Sequence, residues 1–210
     1  MNREIPYSKF IAAFLMTVII FMIIFMTNSY LNEAKLNQIT NMYNEIRIDS
    51  LNAEVQYQIL SENPCLALNF EPMTNELFDL GSKLTDMEDS LGKSNKQVLD
   101  LKKYYSILEV SQWLFVKKAS MQCHKTVTPI LFFYSNAGDC DDCDSQGFVL
   151  DYLRKSKQGV YVYSFDVNLD ASAIQALKAN YNITSVPALV IGEKPYFGYK
   201  DSDKLLELVK

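Results

Sequence analysis

The sequence predicts an α/β domain over residues 127–210, of order β-α-β-α-β-β-α with a mixed sheet, preceded by an N-terminal transmembrane helix and an all-helical region. Three observations predict this. An uncharged, apolar run crosses Phe10–Met26. A stretch free of proline and glycine, residues 31–62, carries apolar side chains at three- and four-residue steps. After Thr128-Pro129, short aromatic-rich runs alternate with amphipathic helical segments. The resulting organisation is a cytoplasmic N-terminus over 1–8, a signal-anchor helix over 9–29, a helical region over 30–125 and the α/β domain over 127–210.

The first element is set by length. With Tyr7 and Thr27 at its edges, the apolar run reaches about 20 residues, the number that crosses a bilayer as a helix. It exceeds the roughly 7–15 residues of a signal-peptide core, and Thr27-Asn28-Ser29-Tyr30-Leu31 offers no small-x-small cleavage site. Arg3 and Lys9 precede the run, opposed only by Glu4. After it Glu33, Lys35, Glu45 and Arg47 balance. The positive-inside rule therefore predicts a single pass with the N-terminus cytoplasmic and the remainder extracytoplasmic.

In the helical region, Leu36, Ile39, Tyr43, Ile46, Ala53, Tyr57 and Leu60 form a seam interrupted at Ser50, and Asn63-Pro64 closes the helix. The seam has coiled-coil spacing. A homodimer through it is one reading, and packing on the chain's own later helices is the other. A second helix is predicted from about Thr74, as N-cap, to Leu91, with Gly92 as its stop. Ser94 is the candidate cap of a third helix carrying Val98, Leu101, Tyr105, Leu108, Trp113 and Val116. A helical hairpin returns its end to its start, which brings Cys123 near Cys65 and predicts a structural disulfide between them. His124, the single histidine, reads as a surface residue.

In the α/β domain, Ile130–Tyr134 reads as a buried strand, followed by a polar loop and a helix around Gln146–Lys155. Val160–Val167 is the second strand, and Asp170 is the candidate cap of the next helix. Ala188–Ile191 and Tyr196–Tyr199 are two strands joined through Gly192-Glu193-Lys194-Pro195, and Ser202–Val209 is the last helix. Right-handed crossovers make the early strands parallel, and a hairpin adds the last.

Composition narrows the function classes. Net charge is −5 with 20 basic and 25 acidic residues, and the basic ones are scattered, so no nucleic-acid partner is predicted. The 4 cysteines in a predicted exported region fit an oxidising compartment. Neither a metal nor a cofactor is called for. Cys65 and Cys123 are too far from the other two to read as zinc knuckles, and Asp139, Asp141, Asp142 and Asp144 lack the twelve-residue loop and terminal Glu of a calcium hand. Asn182-Ile183-Thr184 matches a glycosylation sequon, read here as chance.

Cys140-Asp141-Asp142-Cys143 lies between the first strand and its helix, Tyr181–Val186 leads into Pro187 and the strand Ala188–Ile191, and Phe197-Gly198 precedes the last helix. On these residues the segment 127–210 resembles the thioredoxin-like superfamily. The resemblance implies a cis Val186–Pro187 bond facing the cysteines, with both residues at a substrate-binding strand. It also implies a redox role for Cys140 as nucleophile and Cys143 as resolving thiol. The chemistry is coherent with the residues, because a helix N-terminus stabilises a thiolate and a nearby second cysteine can resolve a mixed disulfide.

The pattern also departs from that family. Gly138-Asp139 precedes the first cysteine in place of an aromatic residue, Asp141-Asp142 replaces Gly-Pro, and Tyr134 stands where a buried acid is usual. Nearby carboxylates disfavour a thiolate and oppose the helix-end effect. The expected chemistry is thus a stable, weakly oxidising or reducing pair. The expected function is a membrane-anchored thiol–disulfide oxidoreductase acting on exported protein thiols or disulfides. The alternatives are a non-catalytic thioredoxin-like binding module with an inert disulfide, and an assembly scaffold built on the helical region.

Overall fold

The structure is a computed structural model that describes residues 7–67, 72–124 and 126–209. The chain forms two compact units, Met1–Asn44 and Glu45–Lys210. The first helix, α1, covers Tyr7–Leu60 and contributes to both.

In the first unit the side chains from Phe10 to Met26 are exposed, so among the described residues nothing buries this segment. The polar groups it carries are satisfied within the helix. Thr17 donates its hydroxyl to the Phe14 carbonyl (2.7 Å), and Thr27 donates to the Ile23 carbonyl (2.9 Å). Among the described residues, this is the one helix long and apolar enough to cross a membrane.

In the second unit the rest of α1 buries Ile46, Ser50, Ala53 and Tyr57. The seam is therefore continuous, and Ser50 does not interrupt it, because its hydroxyl turns back onto the Ile46 carbonyl (2.7 Å). Tyr57 stacks on Phe115 with ring centroids 6.3 Å apart. Lys83 reaches Glu45 (2.7 Å) and Asp49 (3.0 Å) and is held above its ordinary pKa by those two carboxylates. The face away from this seam exposes Ile48, Leu51, Val55 and Ile59.

A one-turn helix α2 (Pro64–Ala67) leads to α3 (Pro72–Leu91) and α4 (Lys96–Cys123). α3 begins at Pro72, so Thr74 lies inside its first turn instead of capping it; proline suits this position because no intrahelical partner awaits its missing N–H. Gly92 ends α3 at φ +90°, its N–H closing on the Glu88 carbonyl (2.7 Å). A tight turn from Asn95 N–H to the Gly92 carbonyl (3.1 Å) then makes Asn95 the cap of α4 in place of Ser94, its side chain accepting the Gln97 N–H (2.8 Å). His124 closes α4 in the left-handed conformation, donating its backbone N–H to Ser120. Cys65 and Cys123 are joined by a disulfide with Cα atoms 5.4 Å apart, tying the segment before α3 to the end of α4.

The remaining elements are β1 (Thr128–Tyr134), α5 (Cys143–Ser156), β2 (Val160–Asp166), α6 (Ser172–Asn180), β3 (Ala188–Ile191), β4 (Lys194–Phe197) and α7 (Ser202–Leu208). They build a mixed four-stranded sheet of order β2-β1-β3-β4. β1 runs parallel to β2, and β3 is antiparallel to both β1 and β4. Ile130, Phe132, Leu150, Leu153, Leu189 and Leu205 form a core in which each fully buried side chain contributes about 1.5–3 kcal/mol.

Two local expectations change. The β3–β4 turn is only Gly192-Glu193, both at positive φ (56° and 68°), as a two-residue hairpin requires. Pro195 is accordingly inside β4, where an edge strand tolerates its missing N–H. Asp170 does not cap α6. The Ala171 N–H folds back onto the Leu169 carbonyl (2.9 Å), which puts buried Ala171 at the cap position without a side-chain bond.

The other sheet edge, β2, is covered by α4. Buried Glu109 accepts the Ser164 N–H (2.9 Å), consuming a donor that an open edge would offer to another chain.

Candidate active site around the Cys140–Cys143 disulfide

Cys140 and Cys143 form a disulfide at the start of α5, with Cα atoms 5.5 Å apart. Cys140 is half-buried on the loop, and Cys143, the first residue of the helix, is buried. The loop begins where β1 ends and is shaped by Ser135. Its hydroxyl donates to Asp139 and accepts the Ala137 N–H (3.1 Å) and the Asn168 amide (2.6 Å). Asp139 is thus a structural partner of the loop. Asp141, Asp142 and Asp144 are exposed, and Asp142 occupies the α5 cap position without a side-chain bond.

Fully buried Gln146 fixes the first turn of α5. It donates to the Lys200 carbonyl (3.2 Å) and accepts the Lys200 N–H (2.7 Å), clamping the disulfide-bearing turn to the segment ahead of α7. Nearby, the Val186–Pro187 peptide bond is cis, and Pro187 is buried. Pairing of Phe133 with Ala188 sets Pro187 next to the end of β1 from which the cysteine loop departs. The Pro187 carbonyl accepts the Gly198 N–H (2.8 Å), and Gly198 sits at φ +73°, a conformation suited to glycine.

A cavity of about 620 Å³ lies beside the disulfide, with Cys143 in its wall. α3 and α4 form one side, and α5 with β1 and β2 the other. Gly81 of α3 permits this arrangement, because a Cβ there would stand 2.8 Å from the Tyr105 hydroxyl. Buried Lys102 projects into the wall, 2.6 Å from Glu88 and 3.4 Å from Asp166, with its ammonium 5.4 Å from the Tyr134 ring centre. Burial, reinforced by Asp166, Glu88 and Glu109, pushes the Tyr134 phenol well above its ordinary range, so it stays neutral. Glu109 is also pushed well above the usual carboxylate range, first by burial; the Ser164 N–H, the Tyr105 hydroxyl and Lys102 oppose this only in part.

The buried charges beside the cavity thus include Lys102 with its partners Glu88 and Asp166, none of which the sequence alone singled out. The signal was present in α4. Val98, Lys102, Tyr105, Glu109, Gln112 and Val116 recur at alternating four- and three-residue steps, and charged residues in such a stripe mark a buried polar cluster. Cys65 and Cys123 belong to the helical part and do not line this cavity. Among the described residues, no group of three or more His, Cys, Asp or Glu could hold a metal ion. No protein-family model matches the chain, and no curated protein matches it.

Proposed function

We propose that the chain is a membrane-anchored, extracytoplasmic thiol–disulfide oxidoreductase with a thioredoxin-like C-terminal domain. The observation that carries this reading is the Cys140–Cys143 disulfide, held at the start of α5 beside the Pro187 end of β3. In the reducing direction, the Cys140 thiolate attacks a client disulfide. A mixed disulfide forms, and one client sulfur leaves as a thiolate and takes a proton. The Cys143 thiolate then attacks Cys140 Sγ, restoring the intramolecular disulfide and releasing the second client thiolate, so two electrons pass from protein to client. The oxidising direction is the reverse.

The helix end favours a Cys140 thiolate, while Asp141, Asp142 and Asp144 disfavour it. A weakly oxidising or reducing pair follows, not a strong oxidant. The single-pass anchor rests on the exposed apolar segment of α1, and the outward orientation rests on Arg3 and Lys9 before it and on the disulfides after it. The second reading, a non-catalytic binding module, draws on Asp141-Asp142 between the cysteines and on the cavity beside them.

The test pairs the reduction potential of Cys140–Cys143 with insulin reduction by the full chain in detergent. We expect a turnover that Cys140→Ser abolishes. Equal background rates for both proteins would overturn the enzyme reading and leave the binding module.

A further inference from the structure

The cavity beside the disulfide carries chemistry that the exchange reaction does not use. It lies within the roughly 300–1,000 Å³ range of ligand pockets. Its lining includes Phe78 and Phe148, which are 47% and 79% exposed, so it opens to solvent between aromatic side chains that folding leaves uncovered. Asp144 and Phe148 are one helical turn apart on α5 and share a face.

Charge is unbalanced at this opening. Lys102 is committed to Glu88 and Asp166, and Arg154 and Lys155 are committed to Asp151. Among the described residues, Asp86 on α3 and Asp144 on α5 line the cavity without an ion-pair partner. An aromatic face beside an uncompensated carboxylate is complementary to a cation. The molecule already shows such a contact at this opening, where the Arg154 guanidinium lies 4.3 Å from the Phe78 ring centre.

We propose that this cavity binds the cysteine-flanking peptide segment of the client. An aromatic or long aliphatic side chain enters it, and a lysine or arginine sits at Asp86 and Asp144. This rests on the exchange activity proposed above and gives it a substrate class: extended segments in which a basic and an aromatic residue flank the reactive cysteine. A client sulfur joined to Cys140 lies next to Cys143 in the cavity wall, so the residues beside that sulfur are the ones that reach the cavity.

The test uses the oxidised full chain in detergent micelles and short peptides with one cysteine flanked by Arg-Phe, Glu-Phe or Arg-Ala. Two peptide thiols reduce the protein disulfide and leave as a peptide disulfide, and the initial rate is followed at low ionic strength. Each rate is divided by that peptide's rate with 2-hydroxyethyl disulfide, an uncharged reference, which removes differences in thiol reactivity. The Arg-Phe peptide should react about tenfold faster than Glu-Phe, a ratio that 0.5 M salt collapses toward one. Asp86→Lys should erase the Arg-over-Glu preference and Phe148→Ala the Phe-over-Ala preference, both read as ratios within one protein so that its folded fraction cancels. A normalised ratio near one in the unsubstituted protein, or ratios that survive both substitutions and salt, would overturn the proposal. Absence of exchange with 2-mercaptoethanol and with every peptide would instead overturn the redox activity on which it depends.

Discussion

The two disulfides are chemically the same bond in opposite settings. Cys65–Cys123 spans 58 positions and joins the segment ahead of α3 to the end of α4. Cys140–Cys143 spans 3 positions within a loop and the first turn of a helix. Closing the long loop removes much of the unfolded chain's freedom, about 4 kcal/mol in the chain-entropy model, whereas the short ring removes less than about 2 kcal/mol. The first is surrounded by helix ends. The second lies beside a cavity, the end of a strand and a group of carboxylates. A bond that constrains little of the chain, in such surroundings, suits the exchange proposed above; one that closes a long loop suits stability.

The largest expected effect tests that division. Replacing Cys65 and Cys123 with serine should lower the denaturation free energy of the full chain by about 3–4 kcal/mol, while the same change at Cys140 and Cys143 should cost less than about 1.5 kcal/mol. Urea unfolding followed by tryptophan fluorescence measures both, since Trp113 is buried in α4. Equal losses would erase the contrast. Next comes Lys102→Met. Lys102 bridges α3 to the end of β2, so it couples the stapled hairpin to the sheet. Its removal leaves buried Asp166 and half-buried Glu88 without their cation and should cost about 3 kcal/mol. If the hairpin and the sheet form one cooperative unit, the midpoint should shift without splitting into two transitions.

Legibility differed between the two settings. The Cys65–Cys123 pairing could be read from topology alone, because Gly92 and the apolar steps of α3 and α4 specify an antiparallel hairpin. The four strands of the mixed sheet were similarly legible, since Ile130–Tyr134 and Ala188–Ile191 are apolar runs bounded by turn residues. The direction of β3 was not: it runs antiparallel to β1, where crossovers alone predicted the early strands parallel. The cavity was not legible either. It depends on Phe78, Lys102, Phe148 and Glu88, which come from three helices, and no local pattern announces that their faces converge. Ser50 was misleading for a related reason, since a hydroxyl that bonds to its own helix can be buried in an apolar seam at little cost. Asn95 and Ala171 displaced neighbouring cap candidates because backbone turns, invisible in composition, chose the register.

A smaller effect concerns Glu109, the other link between α4 and the sheet. Its folded pKa is raised by burial, so the folded state prefers the protonated acid. The stability it permits is complete below the unfolded value of 4.5 and is lost as pH rises from there toward the folded pKa. Glu109→Gln keeps an acceptor for the Ser164 N–H and removes the titration. It should stabilise the protein by about 1–2 kcal/mol at pH 8 and leave it nearly unchanged at pH 4. Denaturation midpoints at the two pH values measure this, and a gain at pH 4 that matched the gain at pH 8 would show that ionisation is not the cause.

The smallest expected effect bears on the surroundings of the second disulfide alone. In the reduced protein, the α5 N-terminus draws Cys140 toward its thiolate, and Asp141, Asp142 and Asp144 repel that charge. Asp141 and Asp142 are exposed and their side chains form no hydrogen bond or ion pair among the described residues, so removing their charge leaves the loop's Ser135–Asp139 support and the Gln146 N–H to Asp142 carbonyl bond in place. Asp141→Asn with Asp142→Asn should therefore raise the iodoacetamide reaction rate of Cys140 at pH 7 by about 3- to 10-fold, with the gain shrinking at high salt. Cys65 and Cys123, left oxidised by mild reduction, are not alkylated and add nothing to the measured rate. An unchanged rate would mean that the helix end outweighs the carboxylates. The pair would then be a stronger oxidant than its sequence suggests, and the contrast between the two disulfides would rest on loop length alone.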